Sequence, residues 1–280
     1  VSTISIVIPA FGNQHALDLS LATLHPQTRW MRKIAPYERW ECIVVDDGSD
    51  PPLKVPDWCM AARIPRDPIH RGSSAAKNYG ASLATGQYLA FCDSDILHLP
   101  DALESLLATI HQWEADGQPD VLLNTMRVSL PDGYKDKYIR DVEKLLTKCR
   151  SANLLNDEAI ETSALCYEQN ESLIRRSYFF QLGGYDAASF PSWGMNNQDL
   201  DLRVAMSGGR ISSAIPRAST GQRLHCFHIF HENHISKQKA TEEFVAKWGV
   251  EWSDRLYQQT YAMVQQGGMP RIREAMCQSN

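Results

Sequence analysis

Two acidic clusters and one aromatic turn carry the clearest chemistry in this chain. Asp93-Ser94-Asp95 follows the apolar run Tyr88-Leu89-Ala90-Phe91-Cys92, and Asp46-Asp47-Gly48-Ser49 follows Cys42-Ile43-Val44-Val45. Pro9-Ala10-Phe11 closes a third apolar run, from Ile4 to Ile8. Carboxylates at alternate positions of a strand end can face one divalent cation, hard oxygen to hard cation. One or two carboxylates acting together with ligand phosphates suit Mg²⁺ or Mn²⁺. The chain has no Walker-type Gly-rich loop and no GxGxxG, so a cation would have to offset phosphate charge. Asp, Gly and Ser also favour ordinary turns. Three such ends meeting at one rim weigh toward function.

The elements that must position these residues are legible. Residues 4–10, 42–46 and 88–92 are apolar without alternation, which is how a strand buried on both faces reads. Between the first two, Ala16, Leu17, Leu21 and Leu24 recur at helical spacing. Ala75, Ala76, Tyr79 and Leu83 do so before the third run. Leu103, Leu106, Leu107, Ile110 and Trp113 form a 3.6-period stripe after it, expected to open with Pro100 in its first turn. A further strand fits Val121–Val128. Strands alternating with helices specify an α/β fold with a mainly parallel sheet, and ligands bind outside the carboxyl ends of such strands.

Beyond about residue 130 the alternation stops. Residues 134–163 read as polar helix and loop, 182–185 and 193–197 as turns, and 224–230 as a strand. The tail from Lys239 to Gln266 is amphipathic, with Phe244, Val245, Trp248, Leu256 and Val264 as packing positions. The expected organisation is one Rossmann-like domain over 1–280. Residues 1–130 form a ligand-binding half, 131–235 an elaborated second half, and 236–280 a helical extension.

The chain has 280 residues, 43% hydrophobic and 22% charged, which excludes a disordered or collagen-like polymer. No apolar run approaches the ~18 residues of a membrane span. The net charge of −5 argues against a broad nucleic-acid surface. Seven cysteines, an odd number with no CxxC, point to buried thiols in a reducing, cytoplasmic setting. Peripheral membrane association and membership of a longer protein stay open, since the chain begins at Val1.

Taken in order, Ser5-Ile6-Val7-Ile8-Pro9-Ala10-Phe11, Val44-Val45-Asp46-Asp47-Gly48-Ser49, Gly72 to Gly80, Ala84-Thr85-Gly86 and Phe91 to Asp95 resemble family 2 glycosyltransferases of the GT-A fold. Gly183-Gly184-Tyr185-Asp186 and the stretch Trp193 to Arg203 resemble the acceptor-side segment of that family. The resemblance covers roughly residues 3–232. Two departures stand out: Lys77 occupies a place where the family commonly has Arg, and Gln198 stands where it usually has Glu, with Asp199, Asp201, Leu202 and Arg203 following.

The resemblance implies a GT-A fold and a nucleotide-diphospho-sugar donor, usually a UDP-sugar. Asp46 and Asp47 would read the base, Pro9, Ala10 and Phe11 would line the nucleotide pocket, and Lys77 would reach the nucleotide or its phosphates. Asp93, Ser94 and Asp95 would hold the donor and a divalent cation, Mn²⁺ or Mg²⁺, with Asp95 the direct ligand and Asp93 nearer the sugar or ribose. GT-A enzymes often add a late histidine to the cation, which singles out His228 and then His231 from the series His225, His228, His231 and His234. On the acceptor side the resemblance implies Asp199 as general base, with Trp193, Gly194, Gln198 and Asp201 contacting a glycan, lipid or polypeptide acceptor. Asn196, Asn197 and the two acids also suit a helix start, and Trp193 also suits a core.

The activity so implied is transfer of a sugar to an acceptor hydroxyl with inversion. A retaining GT-A transferase is the alternative course, and an inactive nucleotide-sugar-binding module the non-enzyme alternative. A nucleotidyltransferase would need a Gly- and Lys/Arg-rich signature after Ile8 that is absent.

Overall fold

A computed structural model describes residues 3–65, 72–117, 121–129, 141–151, 171–191, 194–212, 215–222, 224–229 and 237–251. The three apolar runs become β1 (Thr3–Ala10), β2 (Arg39–Asp46) and, after the short β3 (Met60–Arg63), β4 (Tyr88–Cys92). The remaining strands are β5 (Ile96–His98), β6 (Val121–Asn124), β7 (Met126–Ser129), β8 (Glu171–Arg175), β9 (Arg210–Ser212) and β10 (His225–His228). Seven of them form one sheet in the order β3-β2-β1-β4-β8-β6-β9. The pairs β3·β2, β2·β1, β1·β4 and β6·β9 are parallel, and β8 runs antiparallel to both its neighbours. The carboxyl ends of β2, β1 and β4 therefore lie side by side on one edge.

Among the described residues, seven helices flank the strands: α1 (Gln14–Ile34), α2 (Gly72–Leu83), α3 (Ala102–Ala115), α4 (Val142–Ser151), α5 (Arg176–Gln181), α6 (Asn196–Met206) and α7 (Lys237–Trp248). Alternate side chains of β1 feed two cores. Ile4, Ile6 and Ile8 pack with Leu17, Leu21 and Leu24 of α1 and with Leu103, Leu106 and Ile110 of α3. Val7 joins Ala76 of α2, Phe179 of α5, Leu200 of α6 and Phe244 of α7 on the other side. Strand β1 is thus buried on both faces, which is why its sequence does not alternate.

Several expectations need correction. The α3 stripe is buried as expected, but the helix starts at Ala102 after Asp101, so Pro100 precedes it rather than sitting in its first turn. Tyr79 is on the exposed side of α2. The single strand expected over Val121–Val128 is two. The Thr125 amide donates to Glu171 O at 3.0 Å, and the chain then leaves the large sheet for a small one of order β5-β10-β7. Helix α7 buries Phe244 as expected, while Leu256 and Val264 lie outside the described residues. So do 134–140 and 152–163 of the polar stretch; α4 occupies the rest.

Candidate functional site

The rim formed by β1, β2 and β4 gathers the residues expected to bind the donor. Loops after β1 and β2 are stitched together: Asp47 N donates to Ala10 O at 2.9 Å and Gly12 N to Ser49 Oγ at 2.9 Å. Gly48 has φ 80°, a conformation that suits glycine. Pro9 and Ala10 are buried beneath, and the Phe11 ring stands exposed at the rim.

Asp46 corrects an expectation. Its Oδ1 accepts from Ser49 N at 2.8 Å, its Oδ2 accepts from Leu53 N at 3.2 Å, and Arg63 Nη1 pairs with Oδ2. Burial works against its charge, but the bonds from Ser49, Leu53 and Arg63 prevail and hold its carboxyl below the usual range. Asp46 is therefore a clamp that shapes the 47–53 loop, and its neighbour Asp47 is buried at the same strand end.

Lys77 corrects a second. Gly80 brings α2 hard against the sheet: a Cβ there would lie 2.4 Å from Val7 Cγ1. One turn earlier, Lys77 is buried with its Nζ 3.3 Å from Asp93 Oδ1 and 5.3 Å from the centre of the Tyr185 ring. Burial disfavours the ammonium charge, yet Asp93 outweighs it and holds Lys77 above its ordinary value. Burial, with Asp95 nearby, pushes Asp93 up despite Lys77. Lys77 is thus engaged with Asp93, and its ammonium is buried rather than presented at the rim. Tyr185 is fixed in turn by Asn78, whose Oδ1 accepts from Tyr185 N at 2.9 Å and whose Nδ2 donates to Tyr185 O at 2.7 Å. Burial pushes the Tyr185 hydroxyl up to about 12. Gly184, with φ 69°, completes this turn, because a Cβ would lie 2.8 Å from Asn78 Oδ1.

The small sheet delivers the histidine. Strand β5 begins directly after Asp95, and β10 pairs with it antiparallel, His228 opposite Ile96. Ile229 N donates to Asp95 O at 2.8 Å. As a result His228 Nε2 lies 3.3 Å from Asp95 Oδ2, both side chains partly exposed at the rim. A carboxylate oxygen and an imidazole nitrogen converging on one point would suit a divalent cation such as Mn²⁺. Asp93, drawn toward Lys77, fits the adjacent position. Ser94 is half-buried in the turn between them. His231 lies outside the described residues.

Behind this turn, sequence reading missed a buried group. Cys92, His98 and Glu171 each bring a donor atom within 4.8 Å of the others. His98 Nδ1 and Glu171 Oε1 are 2.7 Å apart, tying β5 to β8 beneath the Asp93–Asp95 turn. Sequence spacing gives no sign of it, because Glu171 is 73 positions from His98.

The acceptor side brings the largest correction. Asp199 is fully buried, and its Oδ2 accepts from Arg203 Nε at 3.0 Å and Nη2 at 2.7 Å. Its Oδ1 accepts from Trp248 Nε1 at 3.0 Å and lies 2.6 Å from Lys247 Nζ. A general base must reach the proton it removes, and this carboxylate is enclosed by two cations and an indole. Lys247 also pairs with Asp186 at 2.7 Å, so the cluster fastens α7 to α6 and to the 183–186 turn. Burial opposes the Asp186 charge, but Lys247 and Ser189 hold its carboxyl far below the usual range. Asp199 and Arg203, four apart on one helix, thus close an intrahelical ion pair.

Asp201 is likewise buried, within electrostatic reach of Tyr185, rather than facing an acceptor. Gln198 is half-buried in the first turn of α6. Gly194 (φ 106°) passes close to α7, where a Cβ would meet Ala240 Cβ at 2.8 Å. Trp193 lies outside the described residues.

Comparison with known proteins gives the family and the fold. Residues 5–182 match the family model described as Glycosyl transferase family 2. The Pre-mycofactocin glycosyltransferase of Mycobacterium tuberculosis is 29% identical over 217 residues, 74% of this chain and 40% of that protein. The UDP-Glc:alpha-D-GlcNAc-diphosphoundecaprenol beta-1,3-glucosyltransferase WfgD of Escherichia coli is 27% identical over 36% of this chain and 38% of its own length. The chain thus spans well under half the length of these relatives. Among solved structures, GalNAc-T7 with UDP, GalNAc and Mn2+ superposes with TM-score 0.60 at 18% identity, covering 92% of this chain and 50% of that one. S. aureus TarS 1-349 with UDP-GlcNAc superposes with TM-score 0.57 at 12% identity, covering 87% of this chain and 65% of that one. The shared fold is GT-A.

Proposed function

Because this chain belongs to glycosyl transferase family 2, we propose that it moves a sugar from a UDP-sugar to an acceptor hydroxyl with the help of a divalent cation, Mn²⁺ or Mg²⁺. The observation that carries the proposal is the approach of His228 Nε2 to within 3.3 Å of Asp95 Oδ2, at the edge where β1, β2 and β4 end. UDP is favoured over other nucleotides by the names of WfgD, a UDP-Glc enzyme, and by the UDP and UDP-GlcNAc carried by GalNAc-T7 and TarS. WfgD also acts on a lipid-linked sugar, and a sugar hydroxyl is the acceptor class we assign.

In this reading Asp95 and His228 hold the cation, which when bound supplies Lewis-acid neutralisation of the leaving diphosphate. Lys77 favours the charged form of Asp93 against its burial and holds it aimed at the ribose or sugar. Phe11 offers its ring to the uracil, and Asp47 a hydrogen-bond acceptor, on a loop held by Asp46 and Arg63. Residues 1–130 form the donor half and 131–235 the acceptor half of one GT-A domain, and the extension expected over 236–280 contains α7, its residues 252–280 lying outside the described ones.

Inversion needs a proton acceptor on the acceptor side, and the enclosure of Asp199 speaks against that residue in the role. A retaining transfer is the second reading, and the anomeric configuration of the product distinguishes them. The test of the function is a screen of nucleotide sugars for Mn²⁺-dependent turnover by the full chain. UDP-sugar consumption that disappears in Asp95→Asn supports it; binding without turnover of any nucleotide sugar would leave a binding module instead.

A further inference from the structure

We propose that the far end of α1 docks this protein onto an anionic membrane surface. Helix α1 buries Leu24, Gln27, Thr28 and Met31 against the core. Its opposite face presents Arg29, Trp30, Lys33 and Ile34, with Tyr37 one turn beyond the helix end. The apolar members are strongly exposed: Trp30 at 53%, Ile34 at 44% and Tyr37 at 80%. Arg32 and Arg39 are exposed beside them. Among the described residues, none of these four cations pairs with a carboxylate. From Leu19 to Tyr37 the sequence has no acidic residue, within a chain of net charge −5.

Basic residues at a helix C-terminus complement its dipole, and that alone accounts for Arg32 and Lys33. It does not account for an exposed Trp, Ile and Tyr interleaved with them. Trp and Tyr place an apolar ring and a polar tip at the level of lipid headgroups. Lys and Arg lay their stems on apolar surface and put the charge among lipid phosphates. An interfacial helix face has this composition, and it binds without spanning; no helix among the described residues is long and apolar enough to cross a membrane. The charge sign favours anionic lipid, and the aromatic content favours a bilayer over a nucleic acid or an acidic protein.

The patch is remote from the chemistry. Helix α1 starts at Gln14, beside the rim, and its 21 residues carry the chain back by about 31 Å to the edge where β2 begins. A docked molecule therefore keeps its rim open to water, from which a charged nucleotide sugar arrives.

The test is co-sedimentation of the full chain with vesicles of phosphatidylcholine alone and of phosphatidylcholine with one quarter phosphatidylglycerol. Binding to the anionic vesicles only, weakened by salt, is expected. Each basic residue contributes roughly fivefold to partitioning, so the double variant Arg29→Glu, Lys33→Glu should bind at least about twentyfold more weakly. Trp30→Ala with Tyr37→Ala should also weaken binding, on zwitterion-independent grounds of lost apolar area. Both pairs leave the buried face of α1 intact, so melting temperatures should match the parent. No binding to either vesicle, equal binding to both, or undiminished binding by both variants would overturn the proposal. So would a self-associating chain whose dimer is abolished by the same substitutions, which would make the patch a protein interface.

Discussion

Lys77 and Asp93 form an ion pair, 3.3 Å from Nζ to Oδ1, in which the lysine is sealed inside the protein and the aspartate faces the rim. The arrangement makes a buried cation the fixed support of a partly exposed carboxylate. It also explains a lysine with almost no exposure on a helix packed hard against the sheet.

Replacing that lysine leaves Asp93 without its support. Lys77→Met should destabilise by about 2–4 kcal/mol, somewhat below the cost of breaking a fully buried pair, because Asp93 keeps 27% of its side-chain surface. Thermal melting of Lys77→Met, Asp93→Asn and the double variant measures the coupling. A double variant no more stable than the sum of the two losses implies that the pair contributes nothing jointly.

Gly80 sets how closely α2 approaches the sheet. Gly80→Ala places a Cβ against Val7 and Val45, so a loss of about 1–3 kcal/mol is expected from overpacking. Gly183→Ala, where nothing lies within 4 Å but φ is 83°, isolates backbone strain from packing as a control. Urea denaturation compares the two.

Asp46 gives a pH dependence of stability. Its carboxyl is held below the unfolded value near 3.9, so its contribution is present above that value. The contribution is lost as pH falls from about 4 through the lower folded value. Asp46→Asn should therefore lower stability at neutral pH by about 1–2 kcal/mol and flatten the acid limb below about pH 4. Chemical denaturation at pH 7 and pH 3 checks both; an unchanged difference between the two pH values would remove Asp46 from the acid transition.

Asp199 is assigned to the framework. Asp199→Asn leaves Lys247 and Arg203 with one fewer charge partner, so a loss of about 3–5 kcal/mol is expected, with turnover per folded molecule largely kept. A loss of ~10²–10⁴-fold in kcat at unchanged melting temperature would instead restore it as a base.

Particular residues show where the sequence was readable. Strands β1, β2 and β4 are dense apolar runs that end in Ala10, Asp46 and Cys92, so the rim and its acids were visible at once. Strands β3, β5 and β9 have three or four residues, too few for any period to register. His228 earned its place through resemblance; the register of β10 on β5 that puts it beside Asp95 depends on residues 130 positions apart and has no local signature. Asp199 shows the limit most sharply. Its spacing suited a cap, a base or an i,i+4 pair with Arg203, and the deciding partners, Lys247 and Trp248, come from a helix 48 and 49 positions on. Lys77 looked like a phosphate ligand because type and place matched, while its burial follows from Gly80 and the packing of α2.

The central claim is that Asp95 and His228 hold a divalent cation that holds a nucleoside diphosphate. Calorimetric titration of Mn²⁺ into the full chain with UDP present tests it most directly. The account predicts saturable binding that UDP strengthens, and a loss of at least about tenfold in affinity in both Asp95→Asn and His228→Ala, as expected when one ligand of a small set is removed. Mn²⁺ affinity unchanged in both variants would contradict it.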